Sequence, residues 1–279
     1  MYKTPEDIRN RLAEHLAIVK KTYGAEYTIL GVFLIGSQNY GTSSENSDVD
    51  SKAILIPTYR TMVMNGEWIS TTLTLENDEH IVIKDIRLAF KELKKPSINA
   101  VEWLYTKYCI TNCDCDKVMD SLYKIRDSIS TMDCKRMMRS TLGHLNKTHK
   151  LLNRLTEEEP GSDKWYKTYA EIMRFYNFLT IYPKYGFEQA MRNHKGIYDL
   201  QHICNVKHDH IGIDRIVTID KVVDSATTLV DMSHPNTLSK FETEVLLAQM
   251  ESIILEAMSD NHKVSKFGST NNYFIRRFK

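Results

Sequence analysis

One stretch constrains this chain more than any other: a buried-strand pattern that breaks at a Gly-Ser turn and resumes behind a pair of acids. Residues 32–37 read Val-Phe-Leu-Ile-Gly-Ser, a polar loop follows, and Ser47-Asp48-Val49-Asp50 then runs into Ala53-Ile54-Leu55-Ile56. Side chains alternate across a strand, so Asp48 and Asp50 point the same way. Two adjacent carboxylates repel and desolvate poorly unless a cation lies between them. Oxygen ligands of this kind suit Mg²⁺ or Mn²⁺. Gly36 permits close backbone approach, and Ser37 adds a hydroxyl and an N–H suited to a phosphate. Metal ligands beside a phosphate cradle predict nucleotide chemistry.

The rest of the chain is compatible with such a site and narrows its setting. Its 279 residues can hold one large domain or two modest ones. With 42% hydrophobic and 26% charged residues it has an ordinary globular composition, and at net charge +1 any polyanionic partner must be held by a local patch. The sequence shows no apolar run long enough for a bilayer, so no membrane partner is expected. The first residues lack the apolar core of a signal peptide. Five irregularly spaced cysteines suit a reducing compartment, and a cytoplasmic location is expected. Cys109, Cys113 and Cys115 lack a well-spaced fourth zinc ligand and read as free thiols.

Local signals place the motif. Thr4-Pro5-Glu6-Asp7 is a helix start, followed by an apolar face at Ile8, Leu12, Leu16 and Val19. Tyr27 to Ile35 reads as a strand covered on both faces. Asp48 to Ile56 is a second strand, Trp68 to Leu75 looks extended, and Glu79 to Lys84 is a further strand. Asp85 to Lys95 and Ile98 to Tyr105 read as helices on either side of Pro96-Ser97. From Cys115 the pattern is almost wholly helical, with helices near 115–130, 132–156, 163–182, 184–194 and 240–258. The stretch from Ile211 to Val223 is ambiguous, and residues 260–279 read as a polar tail.

The segment Gly36-Ser37-Gln38-Asn39-Tyr40-Gly41, then Ser47-Asp48-Val49-Asp50, then Asn99-Ala100-Val101-Glu102-Trp103-Leu104, resembles the DNA-polymerase-beta-like nucleotidyltransferase superfamily. It is most similar to the bacterial and phage branch linked to RNA repair, over roughly residues 28–107. The resemblance implies an α+β fold: a small mixed β-sheet, palm-like catalytic domain at 1–112, then an α-helical nucleotide- and acceptor-binding domain at 113–279. It implies transfer of a nucleoside monophosphate from a nucleoside triphosphate to an acceptor hydroxyl, with release of pyrophosphate. The acceptor it suggests is an RNA end, a tRNA included. Two Mg²⁺ or Mn²⁺ ions would lie on Asp48, Asp50 and a third carboxylate on a neighbouring strand. The strand interior from His80 to Lys84 carries no acid. Asp85 at its exit is the choice, with Asp78 and Glu79 at its entrance as alternatives; Asp85 could equally cap the following helix. Glu102 could brace Arg87 or Lys52, and Tyr40 either packs under the loop or touches ligand.

Gly36 and Ser37 are expected to bind the triphosphate, with help from Lys147, Lys150 and Arg154, which fall on one helical face. That face could also be simply solvated. The aromatic-rich stretch from Tyr166 to Tyr185 reads as core before it reads as a base-stacking surface. His202, His208 and His210 have no familiar metal spacing and read as a polar turn. Two other readings stand beside RNA-directed transfer. One is the same chemistry on a protein or tRNA in a toxin–antitoxin or defence setting. The other is a nucleotide-binding regulator without turnover, which the acid-free strand interior favours.

Overall fold

The computed structural model describes residues 3–44, 47–64, 67–193, 196–210, 219–233, 235, 237–267 and 273–277, with backbone alone at 260–267 and 274–277. The architecture is mixed α+β. Helix α1 (Pro5–Tyr23) begins with a capping box in which Thr4 and Asp7 satisfy each other's backbone N–H groups, with proline in the first turn. Strand β1 (Tyr27–Ile35) follows, then a single helical turn α2 (Ser37–Tyr40) and β2 (Asp50–Pro57). Next come α3 (Tyr59–Met64), β3 (Ser70–Thr74), β4 (His80–Asp85), α4 (Ile86–Leu93), α5 (Ile98–Val101) and β5 (Tyr108–Asn112). The helical half comprises α6 (Asp116–Thr131), α7 (Cys134–Glu158), α8 (Asp163–Met191), α9 (Leu200–Cys204), α10 (Ile219–Met232) and α11 (Lys240–Phe267), and the described chain ends in β6 (Tyr273–Arg277).

The sheet has six strands in the order β3-β4-β2-β1-β5-β6. Strands β2 and β4 run parallel and the other neighbours run antiparallel. Central position explains why β1 is apolar on both faces. Ile29, Val32 and Leu34 pack with Leu12, Leu16 and Val19 of α1 on one side. Leu30 and Phe33 join the larger core on the other, where Trp103, Phe178, Phe187 and Met250 meet the sheet. A bulge between Ile29 and Gly31 resets the alternation between those two sets. The larger core runs without a break from the sheet into α6, α7, α8, α10 and α11.

One expectation changes. Of the stretch 260–279, read as a tail, residues 260–267 continue α11 and Tyr273–Arg277 form β6, which pairs with β5; residues 268–272 and 278–279 lie outside the described residues. Its β-prone Tyr273-Phe274-Ile275 is too short to register against polar neighbours. The two helices expected at 163–182 and 184–194 are both present within α8, separated by a kink at Gly186, where φ is 79°, and the second ends at Met191. Of the ambiguous stretch 211–223, residues 211–218 lie outside the described residues, and α10 begins at Ile219. Among the described residues no helix is long and apolar enough to cross a membrane. Among them also, no three His, Cys, Asp or Glu side chains converge as a metal site.

Candidate active site

The end of β1 and the start of β2 form the heart of the site. Gly36 leaves β1 with φ 75° and ψ −156°, a conformation that L side chains rarely adopt. A Cβ there would also lie 3.3 Å from Asp50 Oδ2. Glycine is therefore required both by the turn and by the nearness of the carboxylate. The intrahelical bonds of α2 begin with the N–H groups of Asn39 and Tyr40, both donated to the Gly36 carbonyl. The N–H groups of Ser37 and Gln38 precede that ladder and are the ones the turn leaves for another acceptor. The Gly36 N–H is not among them: it donates to Glu102 Oε1 at 2.7 Å.

Glu102 anchors the whole turn. Besides Gly36 it accepts from Asn39 Nδ2 at 3.3 Å and from the Tyr40 hydroxyl at 2.7 Å. Burial pushes its carboxyl up, against the Tyr40 hydroxyl, the nearby Lys52 ammonium and the Gly36 N–H, which hold it down. Lys52 itself is buried and donates to the Asn99 carbonyl at 2.5 Å. Burial lowers its pKa, and Glu102 opposes that shift. Glu102 thus braces the Gly36–Tyr40 turn, with Lys52 as its counter-charge. Arg87 is engaged elsewhere.

Asp48 is exposed and Asp50 half-exposed, with Val49 buried between them. Asp50 Oδ1 accepts from the His80 N–H at 3.0 Å and lies 3.3 Å from His80 Nδ1. Strand register decides which residues of β4 share this face. Lys52 lies beside Val82 and Ile54 beside Lys84, so the cleft face of β4 presents His80, Val82 and Lys84. None of these is an acid.

The candidates for a third carboxylate fall elsewhere. Asp85 sits beside Leu55, five positions along from Asp50, with the opposite strand parity. It caps α4 by accepting from the Arg87 N–H at 2.8 Å and pairs with the Arg87 guanidinium at 2.6 Å. Asp78 is exposed in the β3–β4 turn with φ 63°. Glu79 is buried on the α1 side, bonded to Arg11 Nη2 at 2.5 Å, His15 Nε2 at 3.0 Å and the Val49 N–H at 3.3 Å. Burial pushes its carboxyl up, but those donors and Asn77 outweigh it and hold the pKa at about 2. Glu79 fixes the backbone between the two aspartates from behind. The structure therefore brings Asp50 to Gly36, with Asp48 exposed two residues ahead of it, and leaves Asp85 apart.

A cavity of about 350 Å³ opens beside Gly36 and Ser37, walled by Lys167, Arg174 and Lys207 with His144 and Phe175. Arg174 is buried, lies 4.3 Å over the Tyr40 ring, and carries a buried Nη1 without a hydrogen-bond partner. Lys207 donates to the Thr42 carbonyl at 2.8 Å, and burial brings its pKa down to about 8. His208 also lies 3.0 Å from that carbonyl. The segment expected as a polar turn is instead helical, α9 followed by a π-helical stretch over Asn205–Asp209, and its Lys207 closes the cavity wall. His144 stacks on Phe175 at 5.8 Å, and burial lowers its pKa.

Lys147, Lys150 and Arg154 are exposed on α7 and do not line this cavity. Most of the aromatic stretch is core, including Tyr169, Phe175, Phe178 and Tyr182. Of the cations that line the cavity, Lys167 and Arg174 are interleaved in that aromatic stretch, which the sequence reads as core, and Lys207, which the sequence did not single out, comes from the π-helical segment after α9. Their signal, lysine and arginine interleaved with aromatics, is also that of an ordinary amphipathic helix.

No family model matches the chain, and no curated protein matches it. Among solved structures it is similar to a nucleotidyltransferase-like protein from Exiguobacterium sibiricum 255-15. The identity is 11% over 88% of this chain and 79% of that one, at a TM-score of 0.28. A likeness of that size defines neither fold nor activity.

Proposed function

We propose that this chain binds a nucleoside triphosphate at the Gly36–Ser37 turn and transfers its nucleoside monophosphate to an acceptor hydroxyl, an RNA end being the acceptor favoured. In that reaction the acceptor oxygen bonds to the α-phosphorus, the bond from the α-phosphorus to its bridging oxygen breaks, and pyrophosphate leaves. The observation that carries the reading is Arg174: a buried guanidinium nitrogen with no partner, lining a cavity that Gly36 and Ser37 also line. Nη2 of the same guanidinium is paired with Glu171 at 3.2 Å, so it is the Nη1 donor that is left buried and unsatisfied, and an anionic acceptor in the cavity is what would relieve it.

Asp48 and Asp50 supply hard oxygen donors that fit a Mg²⁺ or Mn²⁺ ion. Such an ion would neutralise charge on the phosphates where transfer occurs. Two carboxylates match one ion completed by phosphate and water; a second ion would have to draw on those same exogenous ligands. The protein's own contributions are separate. Glu102 fixes the turn, Ser37 and Gln38 offer N–H groups to phosphate oxygens, and Lys167, Arg174 and Lys207 hold negative charge. The stacked His144 and Phe175 bound the same cavity and suit a base.

A second reading is favoured by one observation: the cleft face of β4 holds His80, Val82 and Lys84, with no acid beside Asp50. On that reading the chain binds nucleotide and signals its presence without turnover. Incubation with each α-³²P-labelled triphosphate, Mg²⁺ or Mn²⁺, total RNA and protein separates the two. Transfer predicts label on RNA that disappears in Asp48→Ala and Asp50→Ala. Bound triphosphate with no labelled product in either macromolecule supports the regulator. Label on protein keeps the transfer chemistry and replaces the acceptor.

A further inference from the structure

The cavity beside Ser37 is the first of three that adjoin one another. It shares Gly36, Tyr40 and Asn99 with a second cavity of about 770 Å³, which is lined by Lys52, Lys84, Lys91 and Lys95. The second shares Lys95 and Ser97 with a third, of about 660 Å³, lined by Lys135, Arg136 and Arg139. The series runs from the candidate site, over the α4–α5 connection, to the start of α7.

Its charge is one-sided although the chain as a whole carries only +1. The carboxylates along it are already paired, Glu171 of the first cavity with Arg174. Glu92 is paired with Lys84, and Glu102 is committed to the Gly36 turn. Asp133 caps α7 by accepting from the Arg136 N–H at 2.8 Å. Lys91, Lys95, Lys135, Arg136 and Arg139 are all exposed. The positive end of α7 adds to the same field. Cations gathered in a concave path, on an otherwise balanced chain, are the footprint of a polyanion.

An aromatic edge favours nucleic acid over other polyanions. Trp68 is 44% exposed. It stands under Lys91 at 5.8 Å and Arg87 at 5.1 Å. An exposed indole beside phosphate-binding lysines is how single strands are held without sequence preference. We infer that the path from Lys91 and Lys95 to Arg136 and Arg139 is a binding track for the backbone of a single-stranded polynucleotide, with Trp68 stacking an unpaired base at its edge. This rests on the transfer reading only in that the track would deliver the acceptor end to Asp48 and Asp50.

The test is equilibrium binding of a short fluorescein-labelled oligouridylate to the full chain, without triphosphate or metal, across a salt series. The variants are Lys91→Glu, Lys95→Glu, Arg136→Glu and Arg139→Glu, with Lys21→Glu on α1, across the sheet, as the control for charge alone. Each track variant should weaken binding about tenfold and lower the slope of log K against log salt by about 0.7, while Lys21→Glu changes neither. Trp68→Ala should weaken binding about fivefold or more. No oligonucleotide binding, or equal loss in track and control variants, overturns the track. Heparin binding as tightly as oligouridylate, with Trp68→Ala silent, overturns its assignment to nucleic acid.

The same variants keep this inference distinct from the transfer reading. Oligouridylate binding that depends on the track, in a chain that transfers no label, would sustain the track and remove the enzyme. Label moved to protein, with track variants fully active and no oligouridylate bound, would do the reverse.

Discussion

Glu102 holds the Gly36 N–H at 2.7 Å across 66 residues of sequence. The carboxylate also takes the Tyr40 hydroxyl and the Asn39 amide, so one side chain sets the position of the phosphate turn. Glu102→Ala leaves the Gly36 N–H and the Tyr40 hydroxyl buried without an acceptor. It should cost roughly 2–4 kcal/mol by urea denaturation and weaken triphosphate binding in the fraction that folds. Glu102→Gln keeps an acceptor and a near-identical volume, and should recover at least half of the stability. Equal loss in both variants would mean that charge, through Lys52, matters more than the hydrogen bonds.

Asp85 was the sequence's choice for a third metal ligand, and its surroundings give it another occupation. Asp85→Asn should lose about 1–3 kcal/mol of stability, because it removes the buried charge that pairs with the partly exposed Arg87 guanidinium and weakens the α4 cap. Turnover per folded molecule should stay within about twofold of the parent, since the substitution removes a cap and not a cleft group. A variant of parental stability and no turnover would return Asp85 to the site.

Glu79 makes stability depend on acid. Its folded pKa of about 2 lies below the ordinary carboxyl value of 4.5, so its stabilisation is fully present above about 4.5. That contribution is lost as pH falls through about 2. Glu79→Gln should therefore be destabilised by about 2–3 kcal/mol at pH 7. The gap between variant and parent should close progressively as the pH of the unfolding experiment is lowered toward 2. A gap independent of pH would assign the loss to packing.

Lys207 makes ligand affinity depend on base. Its pKa of about 8 means that the ammonium is charged below that pH and neutral above it. Affinity for inorganic triphosphate, measured calorimetrically, should fall as pH rises through about 8 in the parent. Lys207→Arg stays charged and should flatten that fall. A parent profile that is flat from pH 7 to 9 would remove Lys207 from the anion-binding wall.

What the sequence disclosed follows the range of its interactions. The capping box of α1 and the full extent of β1 were legible because local hydrogen bonds and a continuous apolar run specify them. The nearness of Gly36 to Asp50 was legible because a turn and a strand start lie close together in the chain. The face presented by Asp85 was not, since it depends on which residue of β2 lies beside it. Strand β5 escaped notice because Tyr108–Asn112 is short and half polar, and only burial against β1 makes it a strand. Arg174 and Lys207 were hidden for a different reason. They reach Ser37 from distant elements, and no spacing rule links a cation on a long helix to a glycine turn at the edge of a sheet.

Strand β2 carries Asp50 and Lys52 toward the cleft, while Ser51 reaches His15 behind the sheet at 2.9 Å. A single residue inserted between Asp50 and Lys52 would swing one set through to the other side. It would set an ammonium against α1 and a hydroxyl beside Glu102. The same insertion in the loop ahead of Asp48 would leave both sets in place. Length variation among natural versions of this chain should therefore collect between Gly41 and Ser47 and stop abruptly at Asp48.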